Sequence, residues 1–413
     1  MPKTIKQYKK KLKNTGKSLL RNSTLTRQLR SPETAGTYLK NNDVPALTAQ
    51  EKAEIDSFWA EYGVKILNYD YYRMFYHVTG KHDPRFIPDS IAHRVLLPYY
   101  NDAEKMRAYV DKNMFQRLLP DMPFPKMFGQ CMNGHFFGPD GRYVTDELTD
   151  EYVNLVYDAF MEAESGKSNH TAENAGETAS AATDGTNNAA ENAAAHALII
   201  KQSQRSFCGK GVSLCKVESP ADLKKAIEEN NSGNFLIQAA IRQHAFFRQF
   251  NESSVNIMRI TSWRHGGDVE IFCPCIRYGI EGSHTDVAFV DGEEIVQVVG
   301  IGADGVIYEG GVTMSGKPLA PVIPDKQVPN WDKVVETVRR NHLQLPYFDL
   351  VGWDFTLDEA GNVVCIEYNL LHPGTIIYQF AHGPLAGEHT EEFLSFLKDP
   401  ANREKYLPAA ARL

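Results

Sequence analysis

The sequence predicts an α+β protein whose strands gather in its second half. Three observations carry this. Six short runs bounded by turn residues read as strands: 197–201, 235–239, 255–263, 269–278, 295–301 and 305–309. Helical stretches stand between only some of them, at about 220–229 and 331–343, so the strict alternation of an all-parallel sheet is not expected. The last strands pair as a hairpin, 351–357 with 362–369, and a helix follows at 390–398.

Ahead of these lies a helical region. Thr48 and Glu51 form a capping box for a helix over 48–62. Aromatics are dense from Phe58 to Tyr76, and a second helix is expected over 102–119, ended by the proline-rich stretch Pro120 to Pro125. Gly138 to Gly141 marks a turn between strands. Residues 165–197 contain no Val, Ile, Leu, Met, Phe, Trp, Tyr or Cys and are one-third Ala, so they read as a disordered surface insertion.

Composition bounds the rest. The 413 residues suit two or three domains, and no apolar run is long enough to cross a membrane. Six cysteines without zinc spacing read as reduced thiols, and the absence of a signal-peptide core points to the cytoplasm. The net charge of −8 is uneven. Residues 1–30 hold ten basic and no acidic side chains, leaving 34 basic against 52 acidic on the remainder, a net −18. That arm suits peripheral contact with an anionic membrane, with a solvated terminus as the alternative; no nucleic-acid partner is expected. Folded sequence is expected from Leu47.

The densest chemistry sits on the terminal hairpin. With a two-residue turn at Ala360-Gly361, Asp354 faces Glu367 across the pair, and Asn369 shares their face. Opposed side chains lie about 4.5–5.5 Å apart at Cβ, so two carboxylates and an amide oxygen converge. Three hard oxygen donors suit Mg²⁺; without a cation, repulsion is expected to raise one carboxyl pKa. Phe355 and Ile366 are expected to point into the core. An ordinary solvent-facing hairpin is the other reading. Upstream, Lys201 ends a buried strand beside a loop running from Ser206 through Phe207, Gly209 and Gly211, an arrangement able to hold a phosphate, although a plain β-turn fits equally. Arg259 and Arg277, on neighbouring strands, suit a phosphate clamp.

In order, these pieces resemble the ATP-grasp superfamily, and more narrowly its sugar-transfer-associated proteins of bacterial polysaccharide biosynthesis. The strongest part is an acid, then thirteen residues on Glu-x-Asn, followed by Pro-Gly: Asp354, Glu367, Asn369 and Pro373-Gly374. The resemblance implies ATP and one or two Mg²⁺ ions as cofactors, with that trio as metal ligands. It implies α-phosphate contact at Lys112, α- and β-phosphate contact at Lys201, and a flap over the phosphates from Ser206 to Gly211. Gln238, Ala239 and Ile241 fall in the hinge that pairs with adenine through its backbone. Val255-Asn256-Ile257-Met258-Arg259 is similar to the Val-Asn-Thr-x-Arg motif of the subfamily, and Arg277 is expected at the γ-phosphate or acyl phosphate. Departures from the pattern are Phe207-Cys208 in the flap, Ile257 for Thr, a neutral Gln238 where many relatives have an acid, and Asp286-Val287 for Asp-Asn.

The implied organisation is a basic arm (1–46), a helical region (47–115), a central ATP-binding lobe (116–250), a C-terminal lobe with the Mg²⁺ site (251–400) and a tail (401–413). The implied activity is ADP-forming carboxylate–amine ligation through an acyl phosphate, on small carboxylate and amine substrates that include sugar-linked ones. Two alternatives stand beside it: a kinase for a sugar or polyol hydroxyl, and a nucleotide-binding scaffold without turnover.

Overall fold

A computed structural model describes residues 33–174, 197–204, 211–290, 293–321, 323–371 and 374–413. The basic stretch 1–30 and the flap positions Ser206, Phe207 and Gly209 lie outside the described residues, as does most of the predicted insertion. Folding starts before Leu47. Helix α1 (Glu33–Asn41) buries Ala35 and Tyr38, so the second part of the stretch expected to be an unfolded arm joins the core. Helix α2 (Ala49–Ala60) has the expected capping box, with Thr48 and Glu51 bonded reciprocally. Helix α3 (Asp70–Thr79) carries the aromatic run, and these helices share one apolar core with part of the C-terminal sheet.

Two antiparallel sheets follow. The first holds β1 (Met127–Met132), β2 (His135–Phe137), β3 (Tyr143–Thr145), β4 (Ala197–Gln202), β5 (Val212–Lys216) and β6 (Asn234–Ala239), in the order β3-β2-β1-β6-β4-β5. Helices α4 (Asp150–Asn174) and α5 (Pro220–Asn230) cover one face through Tyr152, Val156, Leu223 and Ile227. The other face looks into a cleft. Helix α4 runs ten residues into the segment predicted to be disordered, because its apolar first half is anchored on the sheet and extending a helix already nucleated adds one backbone bond per residue.

The second sheet holds β7 (Ile257–His265), β8 (Asp268–Tyr278), β9 (Val287–Val290), β10 (Glu293–Gly300), β11 (Gly311–Thr313), β12 (Pro318–Leu319), β13 (Leu350–Leu357) and β14 (Val363–Asn369). Its order is β12-β11-β10-β8-β7-β13-β14, with β9 on β10. Helix α6 (Trp331–His342) packs on its outer face through Trp331, Val334 and Val338. Helix α7 (Ile376–His382) follows the hairpin and anchors the N-terminal helices: the Gln379 amide both donates to and accepts from the Ile87 backbone at 2.9 Å.

Three expected elements differ. Residues 305–309 form a turn with isolated bridges at Val306 and Ile307, since Gly305 adopts φ +80° and ends any strand; the strand begins at Gly311. The helix over 102–119 is broken into Met106–Tyr109, a 3₁₀ turn Lys112–Met114 and Phe115–Leu118. Asp111 is extended there and caps the 3₁₀ turn, while the Lys112 N–H donates to the Ser203 carbonyl at 3.0 Å. Residues 390–398 likewise split into an α-helix, Thr390–Leu394, and a 3₁₀ turn, Ser395–Lys398.

Candidate active site in the cleft between the sheets

The hairpin pairing comes out as expected by a different route. The Asp358 N–H donates to the Asn362 carbonyl, so the loop is three residues, Glu359 to Gly361, with Gly361 at φ +82°. Taken alone, that register would move Asp354 off Glu367. A bulge at Ile366 restores it: Phe355 pairs with Cys365, and Asp354 with Glu367. The bulge also turns Ile366 toward the cleft, where it lines the cavity, rather than into the core as expected. Phe355 is fully buried as expected.

Across the hairpin's other edge Asp354 is paired with Arg259 of β7, so Glu367, Asp354 and Arg259 form one charged row on the cleft face. Arg259 holds Asp354 through two bonds, Nε to Oδ1 and Nη2 to Oδ2 (2.9 Å), and the pair is almost wholly buried. Asn369 donates to the same carboxylate at 3.2 Å. Arg277 meets Asp286 at 2.6 Å and the Tyr378 hydroxyl at 3.4 Å. Both arginines are thus engaged by carboxylates rather than open to the cleft.

The first sheet and its preceding turn supply two lysines. Lys112 reaches Glu367 at 3.2 Å. Its turn is fixed to the end of β4 by the Ser203 contact and by Gln204 donating to Asp111 at 2.6 Å. Lys201 donates to the Ile366 carbonyl at 3.4 Å. Burial first, then Lys112, pulls the Lys201 ammonium down to about 8, with Glu367 acting the other way. For Glu367, burial favours the neutral acid, but Lys112 and Lys201 outweigh it and hold the carboxyl below its ordinary value. The expected rise from acid–acid repulsion at Glu367 is therefore absent, because each opposed acid has its own cation.

A cavity of about 390 Å³ joins these groups. Lys112, Lys201, Gln238, Ala239, Ile241, Asp354 and Glu367 line it, bringing together seven of the residues singled out in the sequence. Ile199, Val212 and Leu214 form an apolar wall from β4 and β5, faced by Ile257 and Ile366 from the second sheet. Val212 and Leu214 are exposed, as suits a wall awaiting a flat apolar ligand. Gly211, the described end of the flap, accepts from Gln202 through its carbonyl at 2.9 Å, closing the β4–β5 loop beside the cleft. At the expected hinge, the Ala239 N–H is already bonded to the Lys126 carbonyl at 2.8 Å, so that donor is not free to meet a ligand.

Asp286 also lines the cavity and was not read as a site residue. Burial raises its carboxyl, with Arg277 opposing. It lies just before β9, outside any periodic pattern, and the one sequence signal beside it is Val287, where the subfamily's pattern has Asn. Arg248 and His284 at the same cavity carried no sequence signal.

Residues 92–393 match the family described as sugar-transfer associated ATP-grasp. The chain belongs to this family. Its mixed α+β architecture is the ATP-grasp fold. No curated protein matches the chain. Solved ATP-grasp structures show a loose likeness. A biotin carboxylase–ATP complex from Campylobacter jejuni is 12% identical, with 76% of this chain and 51% of that one covered and a TM-score of 0.39. The D-alanine–D-alanine ligase from Coxiella burnetii is 8% identical, at 72% and 60% coverage and a TM-score of 0.36. The ligase PsnB, in complex with a precursor variant, Mg and ADP, is 12% identical, at 72% and 61% and a TM-score of 0.34. The chain spans about half the length of the biotin carboxylase it matches. No helix among the described residues is long and apolar enough to cross a membrane.

Proposed function

We propose that this ATP-grasp protein is an ATP- and Mg²⁺-dependent carboxylate–amine ligase acting through an acyl phosphate, in the assembly of surface polysaccharides. One observation supports it most: the cavity that has an apolar slot at one end brings two lysines beside two opposed acids at the other. The slot fits a purine, and the charged end fits a polyphosphate.

The donor set suits Mg²⁺. Asp354, Glu367 and Asn369 offer hard oxygens on one face, and the ion usually takes only one or two carboxylates with phosphates completing its shell. Among the described residues no three His, Cys, Asp or Glu side chains cluster to hold a metal unaided, so nucleotide oxygens are needed. Bound there, Mg²⁺ supplies neutralisation of the β- and γ-phosphate charge. Lys112 and Lys201 give fixed positive charge along the phosphates, while Arg259 and Arg277, held by Asp354 and Asp286, keep positive charge behind those acids. The substrate carboxylate attacks the γ-phosphate and releases ADP; the amine then displaces phosphate and forms the amide. The flap, Ser206 to Gly211, excludes water from the acyl phosphate.

The test is ADP release screened against paired pools of uronic acids, amino acids and amino sugars. Release that needs both partners and frees inorganic phosphate is the expected result. Phosphate retained on a hydroxyl product makes the protein a kinase. Nucleotide binding without ADP release across the panel overturns the enzymatic reading.

A further inference from the structure

Besides the exposed Glu252, three acids line the cavity: Asp354, Glu367 and Asp286. Two of them have well-directed cations. Arg259 donates to Asp354, Nη2 to Oδ2 at 2.9 Å, and the Lys112 ammonium bonds Glu367 at 3.2 Å. Asp286 is different. Arg277 meets it at 2.6 Å but off the direction of the N–H, so among the described residues Asp286 Oδ2 and Arg277 Nε are both buried without a hydrogen bond. The backbone there is pinned: Val255 pairs with Thr285, and the Thr285 hydroxyl donates to the Val287 carbonyl at 2.8 Å. A buried acceptor held in place without a donor is costly unless one arrives from the cavity.

The place is beside the reacting groups. Arg277 stands opposite Ile257, a cavity residue two positions from Arg259, and Arg259 pairs with Asp354. On the reading above the lysines serve the phosphates and Mg²⁺ takes Asp354 and Glu367, which leaves Asp286, of the three, for the second substrate. What arrives there must bring N–H donors and positive charge. An alkylammonium group brings three donors and a full charge. Burial raises the Asp286 carboxyl, with Arg277 and Arg259 opposing and Asp354 and Glu367 adding to the rise, so it accepts a proton more readily than a solvated aspartate.

We propose that Asp286 receives the amine substrate, which enters as an ammonium ion and donates to this carboxylate. This rests on the ligase reading above and narrows its amine to one protonated at neutral pH, as amino sugars and amino acids are. One N–H proton passes to Asp286 and frees the nitrogen lone pair. That pair forms the C–N bond, the bond from the acyl carbon to the phosphate oxygen breaks, and phosphate leaves with those electrons and the second proton shed by nitrogen.

The experiment gives the full chain ATP, Mg²⁺ and the carboxylate pools, once with the amine pools and once with hydroxylamine, a neutral nucleophile that captures acyl phosphates as hydroxamates. Wild type is expected to make both amide and hydroxamate. Asp286→Asn is expected to lower the ratio of amide to hydroxamate about ten- to hundredfold, the weight of one hydrogen bond to a charged group, and to raise KM for the amine but not for ATP. An equal fall in both products overturns the proposal, since Asp286 then serves only to hold Arg277. An unchanged ratio overturns it as well. Hydroxamate from wild type without amide from any protonated amine overturns it while leaving carboxylate activation standing, and that result needs no variant to fold. Neither product from wild type removes the ligase reading and this proposal with it.

Discussion

The two faces of the β13–β14 hairpin are built from alternate residues of the same strands, yet they satisfy their polar groups in opposite ways. On the core face Trp353, Phe355, Cys365 and Tyr368 are buried. Its few polar atoms form a closed chain: the Trp353 indole donates to the Ser262 hydroxyl at 2.7 Å, Ser262 meets His342 at 2.7 Å, and His342 meets the Phe348 carbonyl at 3.0 Å. Every partner in that chain is permanent. On the cleft face the partners are charges, Arg259 on Asp354 and Lys112 on Glu367. On the reading proposed above, each is open to exchange, the cations for phosphate and the acids for Mg²⁺. The difference separates groups arranged to hold a fold from groups arranged to be handed over to a ligand.

Four measurements break or sharpen this contrast. The largest effect is expected from Arg259→Ala, which leaves Asp354 buried without its cation and should lower stability by about 3–5 kcal/mol in urea unfolding. Replacing both residues by apolar ones of similar volume should recover most of that loss. A single variant as stable as wild type would show that the pair is not desolvated as its burial implies. Next, Glu367→Ala removes an acid whose side chain is 26% exposed and should leave the fold intact while cutting substrate-dependent ADP release by about 10²–10³-fold. Retained turnover would remove Glu367 from the site.

Third comes the core face. Burial holds His342 down to about 3, against the bond its ring N–H donates to the Phe348 carbonyl, so the folded protein keeps it neutral. The stability this gives is complete above the unfolded value near 6.5 and is lost as pH falls from there toward 3. At pH 5 the loss is about 2 kcal/mol, and His342→Gln should narrow the difference in unfolding free energy from urea titrations at pH 7 and pH 5 by that amount. An unchanged difference would mean that His342 is charged in the fold. The smallest effect is at Lys201. With its ammonium near 8, part of the population is neutral at pH 8.5, and bound phosphate should restore the proton. Nucleotide binding should then take up a fraction of a proton, seen as a dependence of binding heat on buffer ionisation at pH 8.5 and absent at pH 6.5. Lys201→Arg should abolish it.

Legibility followed sequence distance. Helix α2 was readable because Thr48 and Glu51 signal within one turn. The opposition of Asp354 and Glu367 was readable as well, although two local errors cancelled: the loop holds one residue more than expected, and the bulge at Ile366 compensates. The consequence for Ile366 was therefore misread, since a bulge reverses the side on which a residue lies. The break at Asp111 was hidden because its cause, the end of β4, is about ninety residues away in the chain.

The residue sequence alone determined which side chains are the candidates for the chemistry: a lysine near the end of a buried strand, acids spaced to oppose, and arginines on strands. Those are properties of spacing and side-chain type, and they survive any arrangement of the remaining chain. Only the tertiary structure decided who holds whom. Arg259 reaches Asp354, Lys112 reaches Glu367 and Arg277 reaches Asp286, because strand order and the packing of two sheets, not neighbourhood along the chain, set the distances over which charges and hydrogen bonds act.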